Sequence, residues 1–107
     1  MPGQTPPEPR ATASFSDETG RFVLRLSGEL DLSTIQEVRS AADELIDDAP
    51  ESVVVDLAEV TFMDSSGIAL LLRIAGRVPR TELRNPSPMV RRVLEMTGLT
   101  EMLPIVE

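Results

Sequence analysis

Apolar and polar positions change period several times along the chain, and each change marks an element. Thr12 to Ser16 and Arg21 to Ser27 read as two short strands joined at Asp17-Glu18-Thr19-Gly20, a turn sequence whose Gly supplies a positive φ. In the second strand Phe22, Leu24 and Leu26 alternate with Arg21, Val23, Arg25 and Ser27, so the first set is expected to face a core. Gly28-Glu29-Leu30-Asp31 then reads as a loop, and Ser33 as the start of a helix, with Gln36 completing a capping box. Ile35, Val38, Ala42, Leu45 and Ile46 form one apolar stripe on that helix. Glu37, Arg39, Asp43, Glu44 and Asp47 lie outward, and Pro50 closes the region.

Val53-Val54-Val55-Asp56-Leu57 is the pattern of a strand covered on both faces. Its connection through Val60 and Phe62 reaches Asp64, the expected N-cap of a second helix. Ile68, Leu70, Leu71, Leu72 and Ile74 crowd nearly all sides of this helix, which predicts a central position. Thr81 to Asn85 is a sparse strand pattern. Ser87-Pro88 opens a third helix, with Met89, Val90, Val93, Leu94 and Met96 expected inward and Gly98 at its end. Leu103 to Val106 supplies an edge strand or a loosely packed end. Strands alternating with helices predict an α/β domain, a mostly parallel sheet covered by helices through right-handed crossovers. Residues 1–10 hold four prolines and no large apolar side chain beyond Met1, which predicts a disordered tail before a domain over residues 11–107.

Composition removes much chemistry. Among 107 residues there is no Cys, His or Lys, which excludes thiol catalysis, imidazole bases, Cys/His metal sites, Schiff bases and a phosphate-loop lysine. Trp and Tyr are missing too, so aromatic platforms for stacking bases are not expected. The net charge is −8, with residues 1–64 at −10 and residues 65–107 at +2. Such a surface repels nucleic acid and anionic membrane and suits a basic protein partner. The N-terminus has no signal-peptide pattern, and the apolar run Ile68 to Leu72 is too short to span a bilayer, so a cytoplasmic protein is expected.

Ser, Thr, Asp, Glu and Arg remain. Asp31, Asp56 and Asp64 are candidates for a carboxylate cluster, although Asp56 at a strand end more readily terminates or caps the strand. Arg91 and Arg92 read as a solvated helix face, and the acidic face of the first helix as solvation or docking surface. Asp64-Ser65-Ser66-Gly67 puts two hydroxyls in a first helical turn. On its own this is a capped helix start. It also suits phosphorylation, because a phosphate at a helix N-terminus meets free N–H groups and the positive dipole end.

Gly28-Glu29-Leu30-Asp31, then Val60-Thr61-Phe62-Met63-Asp64-Ser65-Ser66-Gly67, then Asn85-Pro86-Ser87-Pro88-Met89-Val90-Arg91-Arg92-Val93-Leu94-Glu95-Met96-Thr97-Gly98-Leu99, resemble the STAS-domain anti-sigma factor antagonists of bacteria. The resemblance covers about residues 12–106 and implies the STAS fold: a single-layer, mixed but mostly parallel sheet of four or five strands with packed helices. It implies a non-enzymatic switch without cofactor or metal. The unphosphorylated form would bind an anti-sigma factor with serine kinase activity and so free the sigma factor. Phosphorylation of Ser65 would break that complex, and a serine phosphatase would restore it. Asp31, Asp64, Ser65, Ser66 and Gly67 are the implied partner-binding residues. The alternative is a STAS-fold scaffold or regulatory subunit in a signalling or transport complex, with the serine unmodified. Gly67 to Ser87 looks shortened around Arg77-Val78-Pro79-Arg80, with Pro79 expected to cut the second helix early and no closing helix after Glu107.

Overall fold

A computed structural model describes residues 10–18 and 21–106. The expected tail therefore lies almost wholly outside the described residues, as do Thr19 and Gly20 of the expected turn. In chain order the elements are β1 (Ala11–Glu18), β2 (Arg21–Leu30), α1 (Ile35–Asp47), β3 (Ser52–Met63), α2 (Ser65–Ala75), β4 (Arg80–Arg84), α3 (Pro88–Met96), a 3-10 turn (Leu99–Glu101) and β5 (Ile105–Val106). The sheet order is β1-β2-β3-β4-β5, antiparallel between β1 and β2 and parallel thereafter. Each parallel step crosses to the adjacent strand through one helix, always in the same direction. Right-handed crossovers then put all three helices on one face. The core agrees: Leu24, Leu26, Val53, Val55, Leu57 and Leu83 join Val38, Leu45, Leu71, Ile74, Val90 and Leu94 in one cluster.

The other face is ionic. Arg25 and Arg84 meet Glu18 and Asp56, and Arg21 meets Glu82, so ion pairs span β1 to β4. Val23 and Val54, register partners, lie buried at 1% and 3% exposure among these charges. Asp56 therefore does not end its strand. It sits inside β3, where Oδ1 accepts from the Ala58 amide at 3.0 Å and Oδ2 from Arg84 Nη2 at 2.9 Å. Burial pushes its carboxyl pKa up, but the Ala58 amide, the Arg84 hydrogen bond and the positive charges of Arg84 and Arg25 together outweigh it and the net shift is downward.

Several boundaries differ from the sequence expectation. β1 includes Asp17 and Glu18. β2 runs through Gly28 to Leu30 rather than looping out, and β3 extends to Met63 because its register with β2 slips twice, at bulges after Arg25 and after Gly28. Gly28 has φ 86°, and a Cβ there would lie 1.9 Å from the Arg10 carbonyl oxygen; it is a crossing point, not a break. Phe22 is on the core side but at its margin, 42% exposed, whereas Val23 on the opposite face is buried. The α2 helix is one-sided, with Gly67, Leu70, Leu71 and Ile74 buried and Leu72 exposed. On α3 only Val90 and Leu94 are buried; Met89 and Met96 face out. Pro79 follows α2 rather than cutting it, since the helix has already ended at Ala75. The α1 stripe, the Asp64 and Ser87 caps and the left-handed Gly98 are as expected.

Candidate functional site

Leu30 and Met63 are register partners at the ends of two parallel strands, so Asp31 and Asp64 leave the sheet at the same level on adjacent strands. The Asp64 amide donates to the Leu30 carbonyl at 3.1 Å, which ties the two exits together. Asp64 then turns extended, φ −116° and ψ −163°, and its Oδ1 accepts from the Ser66 amide at 2.7 Å as the N-cap of α2. Gly67 sits where α2 crosses β2 and β3. A Cβ there would lie 2.6 Å from Met63 Cγ and 3.1 Å from Leu30 Cβ, so only glycine lets the helix approach this closely.

The outcome for the serines is asymmetric. Ser65 is exposed, while Ser66 is half-buried and lends its amide to the cap. The Ile68 amide bonds the Asp64 carbonyl. Among the described residues the Ser65 and Gly67 amides have no acceptor, so the positive end of α2 stays open.

Asp31 does a different job from the one expected of Ser33 and Gln36. Its Oδ1 accepts from the Ser33 amide (2.9 Å), the Ser33 hydroxyl (2.6 Å) and the Thr34 amide (3.1 Å). The α1 helix starts at Ile35 after Thr34, which gives no side-chain cap. The capping box is thus replaced by an aspartate turn that closes before the helix begins. The Ser33 hydroxyl above all, with the Ser33 and Thr34 amides, holds the Asp31 carboxyl below its ordinary range, so it stays ionised. Arg10, assigned to the tail by the sequence reading, belongs to this junction. Its carbonyl accepts from the Glu29 amide at 3.0 Å and its Nη2 donates to Ser33 Oγ at 2.8 Å.

The structure therefore brings Asp31, Asp64, Ser65, Ser66 and Gly67 to one end of the sheet and leaves Asp56 on the ionic face, paired with arginine. The three aspartates form no common cluster, and no group of three or more acidic side chains among the described residues is placed to hold a metal. One apolar residue of this end was not singled out from the sequence, Leu32, 80% exposed beside Asp31; Phe62, already placed on the way to Asp64, is 40% exposed two residues before the cap. The signal was an apolar residue inside the polar run Asp31-Leu32-Ser33-Thr34. Leu32, Gln36, Ser66, Ala69 and Arg73 line a shallow groove between α1 and α2 that opens beside Ser66. No helix among the described residues is long and apolar enough to cross a membrane.

Comparison with known proteins gives the same frame. The family model described as Mlab, STAS domain matches residues 13–106. An anti-sigma F factor antagonist of Paenibacillus polymyxa is 37% identical over 93 residues, which cover 82% of this chain and 80% of the relative. The crystal structure of an anti-sigma factor antagonist from Mycobacterium paratuberculosis superposes with a TM-score of 0.83 at 28% identity, covering 89% of this chain and 84% of that one. The Bacillus cell fate determinant SpoIIAA in its phosphorylated form superposes with a TM-score of 0.66 at 28% identity, over 90% of this chain and 92% of that one. Members of this family are regulatory rather than catalytic. With one sheet order, one capped glycine-tight helix start and a match over nearly its whole folded length, the chain belongs to the STAS-domain anti-sigma factor antagonist family.

Proposed function

We propose that this domain is the antagonist in a cytoplasmic partner switch. Its unphosphorylated form binds an anti-sigma factor that is a serine kinase and so frees a sigma factor. Phosphorylation of Ser65 ends that binding, and a serine phosphatase restores it. The observation that carries the reading is the open first turn of α2: an exposed Ser65 beside two amides that have no acceptor among the described residues, next to the Asp64 cap.

The physics separates what phosphate does to the fold from what it does to the complex. A phosphoserine adds roughly −1.5 to −2 charges at neutral pH. Within the domain the N-terminus of α2 offsets that charge, a dipole effect of about 0.3–1 kcal/mol at exposed sites. In an interface the group must shed water beside Asp64 and Asp31, and desolvating a poorly paired charge costs several kcal/mol. At about 1.4 kcal/mol per decade that weakens binding by two or more orders of magnitude. The deciding experiment incubates the protein and Ser65→Ala with the cognate kinase and ATP, then measures partner affinity of each product. Wild type is expected to gain one phosphate and lose at least 100-fold in affinity with its thermal midpoint nearly unchanged; Ser65→Ala is expected to stay unmodified and bound. Phosphorylated protein that binds as tightly as before would favour the scaffold reading instead.

A further inference from the structure

The chain has three aromatic residues and buries none of them: Phe15, Phe22 and Phe62 are 41%, 42% and 40% exposed. Phe15 pairs in register with Leu24 and Phe22 with Asp17, so the first two rings are diagonal neighbours on the helix-covered face of β1 and β2. With Leu45 and Pro50 they line a pocket whose other walls are Glu44 and Asp48. This pocket is at the start of β2, the opposite end of the sheet from Ser65.

The pocket adjoins a sheet edge that is open among the described residues. β1 is the last strand in the order, and the Glu29 amide bonds the Arg10 carbonyl, which makes Arg10 and Glu29 a hydrogen-bonded pair. Antiparallel alternation then directs the backbone groups of Thr12, Ser14, Ser16 and Glu18 to β2, and those of Ala11, Ala13, Phe15 and Asp17 outward. Edge strands are commonly blunted by Pro, Lys or a bulge. Here β1 has no Pro or Lys, its register with β2 is unbroken, and its outward-facing positions carry one charge, Asp17. The opposite edge, β5, has only two residues.

Charge identifies what fits. The last turn of α1 carries no base, and Glu44, Asp47 and Asp48 crowd the negative end of its dipole without an ion pair among the described residues. Asp17 adds a carboxylate on the edge itself. A second copy would bring the same carboxylates and the same net −8 against these.

We propose that the β1 edge and the Phe15–Phe22 pocket form a docking site for an extended basic segment of a partner protein. The segment adds as a sixth strand beside β1 and inserts an Arg or Lys side chain between the two rings and the carboxylates of Glu44 and Asp48, by backbone pairing, cation–π contact and charge. Because this site and Ser65 lie at opposite ends of the sheet, both can be occupied at once.

The test titrates the full chain with a capped hexapeptide of alternating Arg and Val, and with the same peptide carrying Glu for Arg, while amide exchange is followed residue by residue. The Arg peptide is expected to bind at least tenfold more tightly than the Glu peptide and to slow exchange of the Ala13, Phe15 and Asp17 amides at least tenfold. The double variant Glu44→Gln, Asp48→Asn is expected to lose at least tenfold in affinity for the Arg peptide with a thermal midpoint equal to or above wild type. Ala13→Pro removes one outward N–H and is expected to abolish edge protection; the double variant decides the matter if that chain folds poorly. Failure of the Arg peptide to bind, binding without edge protection, or indifference to the double variant overturns the proposal. So does protection of those amides in the peptide-free protein, as monomer or as dimer by sedimentation, since the chain would then fill its own edge.

Discussion

Two strand-to-helix junctions lie side by side in this domain and solve the same problem differently. Both leave parallel strands at one level, and both begin with aspartate. At the first, Asp31 spends its carboxylate on its own loop, gathering the Ser33 and Thr34 donors before α1 opens at Ile35. At the second, Asp64 is the cap itself, and the next residue is already helical. The first junction is held by hydrogen bonds to the Asp31 carboxylate and by the buried Thr34 hydroxyl, which accepts from the Asp31 amide and donates to the Glu29 carbonyl. The second is held by one cap bond and by the close seating of Gly67 on Met63 and Leu30. The difference teaches where reactivity is left over: the first junction turns its carboxylate inward on the Ser33 and Thr34 donors, and the second leaves Ser65 exposed beside two amides that have no acceptor among the described residues.

The contrast predicts unequal responses. Gly67→Ala should be the most damaging change, because the added methyl meets Met63, itself 2% exposed, and the backbone of Leu30. A cost of about 2 kcal/mol or more is expected from overpacking, lowering the thermal midpoint by roughly 8–16 °C. An unchanged midpoint in calorimetry would mean that packing does not hold the second junction. Next comes Asp64→Ala, which loses the bond to the Ser66 amide and should cost about 1 kcal/mol in denaturant unfolding. Asp64→Asn keeps an acceptor and should recover most of that.

The smallest effect concerns acid. The folded-state carboxyl of Asp31 lies below its ordinary value of 3.8, so its contribution is complete above that value and is lost as pH falls through the lowered one. Glu18 and Asp56 shift the same way on the ionic face, so the stability of the wild type should decline below about pH 4. Asp31→Asn should remove only the share of that decline belonging to the first junction. Thermal midpoints measured between pH 6 and pH 3, on wild type and variant, separate the shares; identical curves would show that the turn does not depend on charge.

These junctions also mark what the sequence could and could not convey. Side-chain period predicted the α1 stripe residue by residue, because one helix face meets one core. Asp64 and Ser87 were legible as caps because the cap bond is local. Gly28 was not legible as strand, since what demands a glycine there is the Arg10 carbonyl from a distant part of the chain. Nor could alternation alone show that Phe22 lies at the rim of the core, or that Val23 is covered by charged neighbours from other strands. Asp31 leaves the sheet at the level of Asp64, but its hydrogen-bond partners were not foreseen, because a carboxylate that folds back on its loop and one that faces outward share the same local sequence.

The seating of Gly67 has one more consequence. With no room for a methyl group between α2 and the sheet, the first turn of that helix has little freedom to slide or tilt. Under the proposed switch, a mark placed on Ser65 would be written on the surface and would not travel inward. Only a protein touching the mark would then read it, and erasing it would return the same molecule, with no slow refolding and no trace of how often it had been written before.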